Sequence, residues 1–298
     1  KINDKIENKN GTQCVPNSKE SLLQKEKNSK RGSFEDTNNF ENSDDFQNIP
    51  RSLKSSDISD KNVEKRKLAE RIMQELTNDL KDQKNKINLN NKKDEDGRVN
   101  SARNEAVVVK AIKNSFQTNS FYKEQNLKLL TPNITNNREW YDVAIQGQNI
   151  FIPINIKISV LSNTCDNLNC KTGLVYALTG KTPKELNISN MVGWEKYGEL
   201  FIPYVSTEET GTDYYFLIVN KKDPSDVFWN SLKQLSILSP NGSNLPFQCS
   251  FKKNRIPNNV SQKEAVQYIL SSFNQSLLKD IVPKQKLSNL LCSSKLFS

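Results

Sequence analysis

An acid, an amide and a lysine stand close together in two short apolar segments of this chain, a combination suited to metal-assisted hydrolysis of a phosphodiester. The first segment is Trp140-Tyr141-Asp142-Val143-Ala144-Ile145, and the second is Phe151-Ile152-Pro153-Ile154-Asn155-Ile156-Lys157-Ile158-Ser159. Ile152, Ile154, Ile156 and Ile158 alternate with Pro153, Asn155, Lys157 and Ser159. A period-2 strand therefore buries one face in isoleucine and turns Asn155 and Lys157 the same way. The intervening Gln146-Gly147-Gln148-Asn149 holds a glycine for a tight hairpin. With Gly147 and Gln148 as a two-residue turn, Asp142 pairs opposite Pro153 and shares a face with Asn155 and Lys157.

The chain contains no histidine. That excludes a Ser-His-Asp triad, a zinc site built on paired histidines, and a nuclease with a histidine general base. What remains for phosphodiester hydrolysis is an oxygen-ligated divalent metal working with lysine, and Mg²⁺ suits carboxylate, carbonyl and water oxygens. The cysteines Cys14, Cys165, Cys170, Cys249 and Cys292 are odd in number, scattered, and without a Cys-x-x-Cys pair. They are expected to be reduced thiols of a cytoplasmic protein rather than a disulfide framework or a structural zinc site. No run approaches the roughly 18 apolar residues of a membrane span, so no membrane partner is expected. No signal-peptide pattern opens the chain. Residue 1 is Lys rather than Met, so upstream sequence could be missing.

The elements that must position these residues lie in the second part of the chain. Residues 1–96 hold no Trp or Tyr and carry 20 basic against 19 acidic side chains. Residues 97–298 hold all three Trp and all eight Tyr, with 23 basic against 15 acidic side chains. Nearly all of the chain's net charge of +9 thus falls where it can fold. A basic domain with phosphodiester chemistry points to nucleic acid, although the same charge also serves plain solubility.

Residues 1–58 read as a disordered Asn/Lys/Ser-rich tail. Residues 59–96 read as a helix over 63–80, marked by Leu68, Ile72, Leu76 and Leu80, followed by a polar linker. That helix is either a dimer arm or a packed helix. Residues 97–298 read as one folded domain, beginning with a helix over 102–116 that Ser101 can cap. After the hairpin, the pattern suggests a helix over 166–178 closed by Gly180 and strands over 200–205 and 213–219. There follow an ambiguous segment over 228–238, a strand over 247–252, and a Ser261/Glu264 capping box opening a helix over 262–278. This order describes an α/β protein with a mixed sheet flanked by helices.

Several stretches carry a family resemblance. They are Gly97-Arg98-Val99-Asn100-Ser101 with Asn104-Glu105, then Trp140-Tyr141-Asp142, Asn155-Ile156-Lys157 and Asp166-Asn167. Lys171 through Tyr176-Ala177-Leu178-Thr179-Gly180 and Asn244-Leu245-Pro246-Phe247-Gln248 complete the set. Together they resemble type II restriction endonucleases of the PD-(D/E)xK nuclease superfamily, over residues 97–280. The resemblance implies a restriction-endonuclease-like fold and a Mg²⁺-dependent, sequence-specific endonuclease of duplex DNA. It further implies a homodimer beside a cognate DNA methyltransferase in a restriction-modification system. Asp142 matches the metal-binding aspartate, Lys157 the catalytic lysine, and Glu105 a helical glutamate directed at the metal. The backbone carbonyl of Ile156 is a further ligand in that architecture. Asn155 departs from the pattern, standing where the family usually has Asp or Glu.

Other readings of the same residues remain. Lys157 could be a solvated edge charge, and Glu105 could merely favour a helix dipole. Asp166, Asn167 and Lys171 could cap a helix, or touch DNA or support the site. Arg98, Arg103 and Arg138 could meet phosphate. Because of Asn155, the chain could instead be a catalytically weakened DNA-binding relative, and a repair or junction nuclease is the nearest enzymatic rival. A scaffold for an interacting N-terminal arm is a third possibility.

Overall fold

Apolar stripes of period four and period two set the layers of this structure, a computed structural model that describes residues 55–83, 86–89, 97–132, 139–162, 164–280, 284–294 and 296. The tail expected over 1–58 lies outside these residues as far as residue 54. The elements in chain order are α1 (Ser55–Asp82), α2 (Gly97–Thr118), α3 (Ser120–Glu124), β1 (Lys128–Leu130), β2 (Val143–Gln146), β3 (Phe151–Ser159) and β4 (Asp166–Asn167). They continue with α4 (Lys171–Thr179), α5 (Trp194–Phe201), β5 (Tyr215–Asn220), β6 (Val227–Ser231), β7 (Gln248–Cys249), α6 (Gln262–Leu278) and α7 (Gln285–Ser293).

The main sheet runs β1-β2-β3-β5-β6, and β4 pairs with β7 in a separate two-stranded ladder. Within the main sheet only β3 and β5 are parallel. Alternation divides its side chains between two cores. Ile152, Ile154, Ile156, Tyr215, Leu217 and Trp229 meet Ile72, Met73, Leu76 and Leu80 of α1 and Val108 and Ile112 of α2. On the other face Phe216, Ile218 and Phe228 meet residues of α4, α5, α6 and α7. Helices cover both faces, which is why the interior strand β5 reads as an almost unbroken apolar run.

The expected mixed α/β architecture is present, with adjustments. Helix α1 extends beyond the 63–80 expected and is a packed helix: Ile72, Met73, Leu76 and Leu80 are fully buried. Helix α1 thus shares one compact unit with the described residues from 97 onward. Ser101 does not cap α2, because the chain is already helical from Gly97. The helix expected from 166 begins only at Lys171. Asp166 and Asn167 are drawn into the ladder with β7, and Asn169 takes a left-handed φ of 49° that interrupts any helix.

Gly180 closes α4 in the left-handed conformation, as its position implies. The strand expected over 200–205 is instead the end of α5 and a 3₁₀ turn over Ile202–Tyr204. There Tyr197 and Phe201, four residues apart, bury one helical side. The ambiguous 228–238 segment resolves into β6 and a 3₁₀ turn, because Val227–Ser231 pair antiparallel with β5. The strand expected over 247–252 shortens to Gln248–Cys249. The Ser261 capping box is formed in full.

Candidate metal and phosphodiester site

The hairpin turns around Gln148 and Asn149, with the Gly147 amide donating to the Ile150 carbonyl at 2.9 Å. Val143 therefore pairs with Ile154 and Ala144 with Pro153, two residues away from the register expected. A shift of two preserves the face of every side chain. Asp142 still joins Asn155 and Lys157, and its amide donates to the Ile154 carbonyl at 2.9 Å. The carboxylate is held from across the pair, where Oδ2 accepts the backbone N–H of Ile156 at 2.7 Å.

Asn155 and Lys157 occupy the β3 face whose β5 partners are Phe216 and Ile218. Asn155 Nδ2 donates to the hydroxyl of Tyr214 at 3.2 Å, and that hydroxyl donates to the Trp140 carbonyl at 3.0 Å. The amide oxygen Oδ1 of Asn155 is buried and has no hydrogen-bond partner. A solvent-free oxygen left unsatisfied beside a carboxylate is a fit for a hard cation.

Lys157 donates from Nζ to the carbonyl of Asn167 at 3.1 Å. Burial lowers its pKa, against the opposing pull of Asp142, then Cys170, Asp166 and Cys249. Burial raises Asp142, partly countered by the Ile156 N–H and the Lys157 charge. Glu105, on α2, lies within electrostatic range of Asp142 and Lys157. Burial, then the charge of Asp142, pushes it up to about 7, with Lys157 opposing. Asp142, Lys157 and Glu105 thus act on one another's charge, Asn155 shares the strand face of Lys157, and Ile156 is tied to Asp142 through its amide. Among the described residues no three histidine, cysteine or carboxylate side chains form a metal-holding group. A cation here would draw on the amide and backbone oxygens as well as the acids.

The supporting residues divide. Asp166 accepts Ser159 Oγ at 3.0 Å and acts on the charge of Lys157. Asn167 gives its carbonyl to Lys157 and its amide to Asn244 Oδ1 at 2.9 Å. The β4–β7 ladder thereby brings the Asn244–Gln248 stretch beside the site, where Asn167, Trp194, Asn244, Asp280 and Lys284 line an open groove of about 430 Å³. Lys171 is engaged elsewhere. Its ammonium bonds the Val192 carbonyl and lies 4.5 Å from the centre of the Trp194 ring. Arg98 sits in the first turn of α2 with its side chain outside the described residues, as is the whole of Arg138. Arg103 Nη1 donates to Asn100 Oδ1 at 3.3 Å.

Two residues that sequence reasoning did not single out belong to this neighbourhood, Tyr214 and Gly173. The available signal was a glycine inside an apolar helical stretch, which marks a close approach by another group. Cys165, Cys170, Cys249 and Cys292 form no disulfide, and Cys14 lies outside the described residues. Burial pushes the Cys170 thiol up to about 12, leaving it protonated and inert. No described helix is long and apolar enough to cross a membrane. No protein-family model, curated protein or solved structure matches this chain.

Proposed function

We propose that this protein is a Mg²⁺-dependent type II endodeoxyribonuclease with a restriction-endonuclease-like fold. In this reading it acts in the cytoplasm on duplex DNA as a homodimer, alongside a cognate DNA methyltransferase. The observation that carries the reading is the gathering of Asp142, Asn155 and Lys157 on one face, with Asn155 Oδ1 buried and unpartnered.

Asp142, Asn155 Oδ1 and Glu105 would hold the metal, with the Ile156 carbonyl joining them by the family resemblance. When bound, Mg²⁺ supplies charge that acidifies water and offsets negative charge on the phosphate. Asp142 serves as the principal acid and is kept in place by the Ile156 amide. Lys157 orients the attacking water and stabilises charge on the phosphate oxygens, its burial making the ammonium a readier proton donor. Water attacks phosphorus directly, and the bond to the 3′ oxygen breaks to leave 5′-phosphate and 3′-hydroxyl ends. The basic surplus of residues 97–298 supplies counter-charge for the DNA backbone.

The test is incubation of the protein with unmethylated phage DNA, with and without Mg²⁺, beside Lys157→Ala. Discrete fragments sharing one end sequence, formed only with Mg²⁺ and absent with the variant, are expected. Intact DNA over a range of Mg²⁺ and Mn²⁺ concentrations, with binding retained, would point to a catalytically weakened DNA-binding relative. Cutting at branched rather than linear substrates would point to a junction nuclease.

A further inference from the structure

An amide ligand has a problem that a carboxylate lacks, because only one of its two ends can face a cation. The two ends are distinguished by their hydrogen-bond partners. Here the partners form a chain of fixed polarity. The Trp140 carbonyl can only accept, so the Tyr214 hydroxyl donates to it at 3.0 Å. That hydroxyl's remaining capacity is to accept, and it accepts Asn155 Nδ2 at 3.2 Å. The other end of the amide, Oδ1, is thereby turned away from Tyr214 and left without a partner.

Tyr214 is itself immobile. It is 1% exposed, its amide donates to Asp213 Oδ1 at 2.8 Å, and its carbonyl accepts the Leu232 amide at 2.9 Å. Its ring stacks on Trp140 at 5.9 Å between centroids and rests over Gly173 of α4. Burial keeps the hydroxyl protonated by raising its pKa.

We propose that Tyr214 is a positioning residue that holds the Asn155 amide with its oxygen facing the metal site, so that an asparagine serves where the family carries an acid. This inference rests on the nuclease reading for the identity of the ligand. The orientation of the amide is a property of the metal-free protein.

The test is Mg²⁺ titration of the full chain by calorimetry, comparing the parent with Tyr214→Phe, Asn155→Asp, the double variant and Asp142→Ala, each with a thermal melt. Tyr214→Phe removes one hydroxyl and leaves the ring seated. It is expected to weaken Mg²⁺ binding about 5- to 10-fold, the effect of one lost hydrogen bond. In the Asn155→Asp background both carboxylate oxygens can ligate, so the same substitution is expected to change affinity by less than about two-fold. No loss in the parent background, or an equal loss in both, would overturn the proposal and reduce Tyr214 to packing.

A parent protein that takes up no Mg²⁺ would remove the nuclease reading instead. Exchange of the Asn155 side-chain NH₂ protons, followed by NMR in the metal-free protein, then decides the positioning claim separately. Faster exchange in Tyr214→Phe supports it, and unchanged exchange overturns it.

Discussion

A Cβ placed on Gly173 would lie 2.4 Å from Cδ1 of Tyr214, so α4 and the tyrosine approach more closely than any other residue permits. Gly→Ala inside a helix ordinarily stabilises by about 0.5–1 kcal/mol. At this position the sign reverses, because the ring is buried on all sides and cannot yield. Gly173→Ala is expected to cost about 1–3 kcal/mol in urea denaturation, within the range for overpacking. It is also expected to weaken Mg²⁺ binding by displacing the tyrosine hydroxyl.

Asp142 is both a ligand candidate and a structural acceptor for the Ile156 N–H. Asp142→Asn keeps an oxygen that can accept that bond but loses the charge. DNA cleavage by this variant is expected to fall about 100-fold or more with nearly parental stability. Asp142→Ala removes the acceptor too and is expected to cost a further 1–3 kcal/mol, roughly, for the unpaired amide. Comparison of melts and cleavage rates for the two variants separates the roles.

Glu105 gives the metal-free protein a pH signature. Its carboxyl is raised from 4.5 to about 7, so its protonated form is favoured by the fold. That contribution is fully present below the unfolded value of 4.5 and is lost as pH rises through about 7. In EDTA, the melting temperature of the parent should decline over this window relative to Glu105→Gln, whose side chain does not titrate. Mg²⁺ uptake below pH 7, roughly, should release a proton that Glu105→Gln does not release.

A second charged group pins α1 to the rest of the fold. Arg66 pairs with Glu209 at 3.0 Å, and Lys233 lies 3.7 Å from Glu209 and bonds Gln262 Oε1 at 2.6 Å. Asp213 is buried beside them, and burial raises its pKa while Lys233 opposes the rise. Lys233→Met is expected to destabilise by about 3 kcal/mol because the buried Asp213 loses the cation beside it, while Glu209 keeps only Arg66. Adding Asp213→Asn should recover part of that loss in the same urea titration.

Truncation follows from the packing of α1. Deleting residues 1–54 leaves every described core residue in place and should preserve the thermal transition. Deleting residues 1–96 removes Ile72, Met73, Leu76 and Leu80, all fully buried against the sheet. The loss of four core side chains exceeds the stability of an ordinary domain, and no cooperative transition is expected.

Local pattern carried the site. Period-2 alternation from Ile152 to Ile158 is enough to put Asn155 and Lys157 on one face, whatever strand lies beside it. Asp142 joined them even though the turn sat one residue later than expected, because that displacement shifts the pairing by two. The capping box at Ser261 and the terminating Gly180 were legible for the same reason, each being a bond made within a few residues.

What only tertiary structure decided are the long-range pairings. Asp166 and Asn167 form a strand because Gln248 and Cys249 lie beside them, overriding the local helical pattern. The α1 stripe became core rather than a free arm because β5 and β6 present Tyr215, Leu217 and Trp229 to it. Tyr214 reached Asn155 across 59 residues of chain through the parallel pairing of β3 with β5. None of these is encoded by spacing, since each depends on two segments whose meeting is favoured only when the whole core closes around them.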